Sequence, residues 1–237
     1  MKRLGDFTPA RVSLGLTGQS LPVKPLMELR LAHARARDAV HFPLDVHSIL
    51  AELAGHAWMS LTVHSAAHDR QEYLRRPELG RRLDDSSLQK LATAPKAKLI
   101  FVIADGLSAL AVHRHAVSLL ERLLPSLDPA DIGPIIVAEQ ARVAIGDGIG
   151  EILQADLAIV LIGERPGLSA PDSLGAYLTW HPKTGRTDAE RNCVSNIHAQ
   201  GLTYDQAAYK LAFLITESRR RKLSGVTLKE AAGNLLA

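Results

Sequence analysis

The sequence is short of most features that would announce a function outright. It holds one cysteine, Cys193, in 237 residues. A lone cysteine forms no internal disulfide and fits a reducing compartment. Aromatic residues make up only 4%, so few rings are available to stack on bases. The net charge is +3, too weak a field to demand a polyanionic partner. No apolar run approaches the roughly 20 residues of a membrane span. Behind the basic pair Lys2-Arg3 there is no apolar segment of the secretory kind. No internal repeat, low-complexity segment or G-x-S-x-G nucleophile elbow occurs. The expectations are therefore a cytoplasmic protein with no membrane and no nucleic acid among its partners.

What is present is a chain long enough for a sizeable core, with 46% hydrophobic and 22% charged residues. Its organising stretch is A-I-V-L-I-G-E-R-P-G-L, residues 158–168. Five apolar residues run into Gly163, and the chain then turns through Glu164, Arg165, Pro166 and Gly167. A short apolar run ended by glycine and proline reads as a buried central strand. Polar groups at the carboxyl end of such a strand lie where open α/β sheets bind ligands. A second polar patch, D-A-E-R-N-C-V-S-N at 188–196, holds Cys193.

Along the chain, residues 1–24 read as an irregular arm. Leu26, Leu29, Ala32, Ala36 and Val40 predict an amphipathic helix over 25–41. Asp45 or Ser48 caps a second helix ended by Gly55, and Trp58 to Val63 suits a short strand. Asp69 to Leu74 reads as a helical turn, and Asp85 or Ser86 caps a helix to about Leu91. Residues 1–94 thus form a mainly helical, basic N-terminal domain. The pattern changes at Lys98. L-I-F-V-I-A at 99–104 is a buried strand, and Ser108 caps a long helix to about Leu124. A short strand at Ile135–Val137, a helix at 146–153 and the organising strand follow. This alternation predicts a parallel sheet with crossovers. Strand-like runs at 174–180 and 192–197 come next, then a helix from the Thr203/Gln206 capping box to about Lys222. Residues 95–237 are expected to form an α/β domain.

Several candidate sites fall away on inspection. G-D-G-I-G at 146–150 lacks the G-x-G-x-x-G spacing and suits a helix start better than a nucleotide loop. His64/His68 and His113/His115 do not supply three convergent metal ligands, and residues two apart do not share a helix face. The arginines at 70, 75, 76, 81, 82 and 219–221 suit a solvated or subunit-facing surface. No general base, nucleophile or metal set emerges, so no catalytic or metal-binding residue is assigned to this chain. Physics alone leaves an α/β domain with a polar ledge and an unnamed ligand.

G-E-R-P-G-L at 163–168, together with R-N-C-V-S-N-I at 191–197, resembles the small subunit of ethanolamine ammonia-lyase. The blocks at 20–40, 75–83, 104–109 and 150–153 resemble the same family in order, so the likeness spans nearly the whole chain. It implies a Rossmann-like domain facing adenosylcobalamin. It also implies a large catalytic subunit as partner in a hetero-oligomer, and a radical conversion of ethanolamine to acetaldehyde and ammonia. The family's cobalamin contacts correspond to Val143, Glu164 and Cys193. The resemblance implies that the cofactor binds base-on, and the sequence agrees: the nearest string to D-x-H-x-x-G is D-V-H-S-I-L at 45–50, which lacks the glycine and lies in the helical part. Some members carry a longer N-terminal extension associated with a bacterial microcompartment; this sequence starts almost at the common body. Two other readings stay open here: a subunit of another adenosylcobalamin enzyme acting on an amino alcohol or diol, and a basic binding module without activity.

Overall fold

In a computed structural model of the chain, residues 12 and 14–228 are described. The start of the N-terminal arm, through residue 11, lies outside them. The architecture is α/β: a six-stranded mixed sheet with helices on both faces. Its strands are β1 (Ser60–His64), β2 (Leu99–Ala104), β3 (Ile135–Glu139), β4 (Leu157–Gly163), β5 (Leu174–Trp180) and β6 (Arg191–Ile197). They lie in the order β1-β3-β2-β4-β5-β6. The first four run parallel. β5 and β6 then add two antiparallel strands beside β4. β1 comes from the N-terminal stretch and pairs with β3, so the sheet draws strands from both sides of residue 94.

The helices are α1 (Val23–His41), α2 (Val46–Gly55), α3 (Arg70–Arg75), α4 (Asp85–Ala92), α5 (Ala109–Leu123), α6 (Ile145–Leu153) and α7 (Tyr204–Arg221). Their starts follow side-chain chemistry. Asp45 accepts the Ser48 N–H at 3.0 Å to cap α2, and Ser108 accepts the Ala111 N–H to cap α5. α7 starts with the Thr203/Gln206 capping box. α4 is capped by Asp84, which accepts the Ser87 N–H at 2.7 Å, with Asp85 as the first helical residue. Asp85 there still favours the positive end of the helix dipole.

Every residue of β2 and β4 is buried, as continuous apolar runs require. Period-two alternation sorts them into two layers. Leu99, Phe101 and Ile103 pack against α2, α5 and α7. Ile100, Val102 and Ala104 pack against α4 and α6. On this second face the cover thins beyond β4: Tyr177 is half-buried, while Cys193 and Ser195 on β6 are exposed.

Chain order makes β2 the switch strand. β3 adds on one side of it and β4 on the other, so the loops after β2 and β4 diverge there. This is where doubly wound sheets form a crevice. The two loops nevertheless start in contact. A Cβ on Gly163 would lie 2.0 Å from the Ser108 carbonyl oxygen, so only glycine fits the end of β4.

Candidate functional site

A cleft of about 830 Å³ lies over these strand ends. Its walls come from segments far apart in sequence. Arg81 contributes from the turn after α3, and Leu107 from the loop after β2. Arg142 and Val143 precede α6, and Glu164 and Arg165 follow β4. Tyr177 enters from the half-covered face of β5, and Arg191 from the start of β6. Two of the three expected cofactor residues, Val143 and Glu164, therefore share one cavity. The third, Cys193, is the cross-strand partner of Tyr177 and is exposed beside it.

Val143 sits between β3 and α6, half-buried against the second core layer. Glu164 follows β4 directly. Its Oε2 accepts the Ser173 hydroxyl at 2.5 Å and the Asn196 N–H at 3.3 Å. The carboxylate therefore ties the end of β4 to the ends of β5 and β6. Oε1 lies on the side of Gly175, 3.0 Å from where a Cβ on that residue would stand. Tyr177 completes the wall. Burial pushes its phenol pKa up, and the neighbouring Cys193 and Glu164 push the same way, so it stays a neutral ring.

Behind these residues a buried ionic frame holds the loops. Asp105, at the end of β2, accepts the Ala141 N–H at 2.8 Å, the Gln140 N–H at 3.0 Å and Arg70 at 3.1 Å. Burial raises its pKa to about 6, although those donors oppose the rise. Tyr73 is fully buried, its hydroxyl donates to the Ala141 carbonyl at 3.1 Å, and its ring carries Arg142 at 4.1 Å and Arg70 at 4.7 Å. On the other side, Arg191 forks onto Asp147 of α6 at 2.6 and 2.7 Å. Burial opposes the Arg191 charge, but Asp147 outweighs it and holds the pKa above its ordinary value.

Sequence reasoning located the 163–168 turn and the 188–196 patch, but it missed Tyr177, Arg142 and Asp105. Asp105-Gly106 reads as a turn, and nothing local shows that Asp105 reaches loops 35 residues away. Tyr177 could have been found from the alternation in L-G-A-Y-L-T-W, which sets it opposite the inward-facing Ala176 and Leu178. G-D-G-I-G proves to be the body of α6, where a Cβ on Gly146 would strike Val160 at 2.5 Å. The histidine pairs go separate ways. His115 is buried at 2.7 Å from the Tyr204 hydroxyl, and His113 accepts the Asp45 N–H at 2.9 Å. Among the described residues no three His, Cys, Asp or Glu side chains converge on a metal position. The arginines at 219–221 are neutralised by Asp131 and Glu217.

The fold and cleft define a doubly wound α/β protein with an open cleft at the switch point of its sheet, where folds of this class bind ligands. Comparison with known proteins narrows this. The family model of the ethanolamine ammonia-lyase light chain matches residues 1–229. The ethanolamine ammonia-lyase small subunit of Bradyrhizobium diazoefficiens is 54% identical over 236 residues, covering 98% of this chain and 90% of that protein. The small subunits of Pseudomonas aeruginosa and of Xanthomonas campestris pv. campestris are 51% and 53% identical and cover 97% of this chain. They are covered over 86% and 87% of their own lengths. The chain belongs to the ethanolamine ammonia-lyase small-subunit family, and is accordingly a subunit of a lyase. Among the described residues no helix is long and apolar enough to cross a membrane.

Proposed function

We propose that the strand-end cleft seats adenosylcobalamin at an interface with the large catalytic subunit, in the conversion of ethanolamine to acetaldehyde and ammonia. The observation that carries this reading is the convergence of Val143 and Glu164 at the strand ends beside the Tyr177–Cys193 pair on the half-covered face of β5 and β6. The residues suit a corrin. Val143, the Tyr177 ring and Cys193 offer apolar contact to ring and methyl surfaces. A carboxylate oxygen has lone pairs to spare, so Glu164 can accept a hydrogen bond from a corrin amide. When bound, the cofactor supplies the radical that abstracts hydrogen from the substrate.

This chain's part is to bind and orient. Ser173 and Asn196 fix the Glu164 carboxylate before any ligand arrives, so little side-chain entropy remains to be lost on binding. The base-on expectation agrees with where D-V-H-S-I-L falls. Asp45 is engaged as the cap of α2, and α2 packs on the sheet face opposite α6. No side chain in the cleft is assigned to chemistry on the substrate, which leaves the catalytic groups to the large subunit.

The test is the apparent constant for adenosylcobalamin in the two-subunit enzyme. Glu164→Ala removes a charged acceptor worth about 1.5–3 kcal/mol, which weakens the cofactor roughly ten- to a hundredfold. The ethanolamine constant stays near wild type. An unchanged cofactor constant with a raised ethanolamine constant would place Glu164 on the substrate side instead. Turnover by this chain without the large subunit would overturn the division of labour.

A further inference from the structure

The cleft contains more positive charge than its own acids neutralise. Five arginines line it: Arg81, Arg142, Arg165, Arg186 and Arg191. Two are spoken for, Arg191 by Asp147 and Arg186 by Glu190. The Thr187 N–H and Arg186 hold Glu190 down at about 2, so that pair stays ionised. Arg81, Arg142 and Arg165 have no ion-pair partner among the described residues, although Glu164 and Asp188 also line the cavity.

Arg81 and Arg142 are also brought together by the backbone. The Arg142 N–H donates to the Gly80 carbonyl at 2.7 Å, so Arg81 follows directly on the residue that Arg142 holds. Gly80 permits this approach, since a Cβ there would lie 2.8 Å from the Tyr73 ring and 3.0 Å from Arg142 Cγ. The Arg142 guanidinium is fixed 4.1 Å over the Tyr73 ring, and its Nε is buried with no hydrogen-bond partner among the described residues. Burial raises the Tyr73 pKa, so the phenol stays neutral and offers Arg142 no counter-charge. The positive end of α6 points the same way, at Val143 and Ala144. One guanidinium fixed on a ring and a second carried beside it by the backbone, neither with a carboxylate partner among the described residues, fit a tetrahedral oxyanion better than a neutral group.

We propose that Arg81 and Arg142 form an anion subsite that takes the phosphodiester of the cofactor's nucleotide tail. This rests on the cobalamin reading above. The corrin rim carries neutral amides, and the phosphodiester linking it to the benzimidazole nucleotide is the peripheral anion of the molecule. A cleft with an excess of fixed cations selects for that group.

The experiment measures equilibrium binding to the assembled two-subunit enzyme of cyanocobalamin, cobinamide phosphate and cobinamide, which lacks the phosphate. Arg142→Gln and Arg81→Gln each weaken the two phosphate-bearing corrinoids by roughly tenfold and leave cobinamide unchanged. Arg142→Lys keeps the charge and loses less. Because Arg81 lies exposed on a turn, its variant tests the idea even if Arg142→Gln disturbs the Tyr73 packing. Equal losses for all three corrinoids, or none for any, overturn the subsite while leaving cobalamin binding intact. A wild-type enzyme that binds none of the three overturns the underlying reading instead. Protection of wild type but not of Arg81→Gln by inorganic phosphate, with cyanocobalamin binding unaffected by the substitution, marks a free-phosphate site and overturns the tail assignment.

Discussion

Arg191, the first residue of β6, holds both oxygens of Asp147 in α6, at 2.6 and 2.7 Å, with the two side chains almost fully buried. Thr179 adds a third contact to the same guanidinium at 3.0 Å. The antiparallel extension of the sheet is thereby locked to the helix that follows Val143. The two walls of the cleft share one internal brace, placed where the sheet's second face is losing its helical cover.

A buried ion pair is weak evidence of stability in itself, but removing one partner is costly. Arg191→Met leaves Asp147 buried without its paired guanidinium, with only the through-space charge of Arg186 to favour its ionised form, and destabilises the subunit by about 3–5 kcal/mol. The double variant Asp147→Leu/Arg191→Met recovers most of that loss, because no charge remains buried. Thermal unfolding of the assembled enzyme and its two variants checks both statements. If the double variant is as unstable as the single one, the brace is a packing feature and not an electrostatic one.

Asp105 sets a pH dependence with an unusual sign for a carboxylate. Its pKa is raised by burial from the ordinary 3.8 to about 6, so the folded protein holds the proton more tightly than the unfolded chain. Its contribution to stability is complete below about pH 4 and is lost as the pH rises through about 6, by an amount on the order of 2–3 kcal/mol. Asp105→Asn removes this fall from the pH profile. It also lowers stability across the whole range, because one amide oxygen cannot accept both the Gln140 and Ala141 N–H groups. Denaturation midpoints at pH 4, 5, 6 and 7 decide the matter; parallel profiles for wild type and variant would show that Asp105 does not titrate there.

The difference between Asp105 and Glu164 shows how much of the molecule is legible in the amino-acid order. Strands, helices and most caps are local, and their runs and periods can be read directly; β2 and β4 are apolar throughout because both faces are covered. The ledge at Glu164 can be read because a strand of that kind must end in its Gly163 turn. Asp105 stands in an equally plain turn, yet its role comes from where β3 and α3 fall beside it, a consequence of strand order. Tyr177 and Cys193 become neighbours only once β5 and β6 pair antiparallel, and the antiparallel addition is set by tertiary packing. Physical chemistry alone does not name a ligand for the cleft; the cobalamin proposal rests on family membership.

Cys193 offers a footprint of the cleft because it is the one thiol of the chain and is exposed on β6. With adenosylcobalamin and the large subunit bound, its alkylation slows by roughly tenfold or more, since a corrin over Tyr177 and Cys193 removes the solvent path to the thiolate. Alkylation of the assembled enzyme, followed at the peptide containing Cys193 with and without cofactor, measures this. Protection by the large subunit alone, with nothing added by the cofactor, would mean that β6 faces the partner and not the corrin.

The last prediction concerns the glycine that lets the two switch-point loops meet. A methyl group on Gly163 would fall 2.0 Å from the Ser108 carbonyl oxygen and 2.8 Å from that of Asp105. Both obstacles are backbone, one at the cap of α5 and the other at the end of β2, so neither can swing aside as a side chain could. The Leu107 N–H also donates to the Gly163 carbonyl at 2.9 Å, and any retreat of β4 from this loop stretches that bond. Gly163→Ala therefore costs about 1–3 kcal/mol or more through overpacking. It also shifts Glu164, the next residue, away from Ser173 and Asn196. Gly167→Ala, four residues on, is the matched control: its nearest neighbour is the Ala170 carbonyl oxygen at 3.5 Å, an ordinary contact, so stability stays within about 0.5 kcal/mol of wild type. Thermal unfolding and the cobalamin dissociation constant of the assembled enzyme separate the two. Gly163→Ala lowers both stability and cofactor affinity, whereas Gly167→Ala changes neither. Equal behaviour of the two variants would show that the loops after β2 and β4 can part without moving the carboxylate between them.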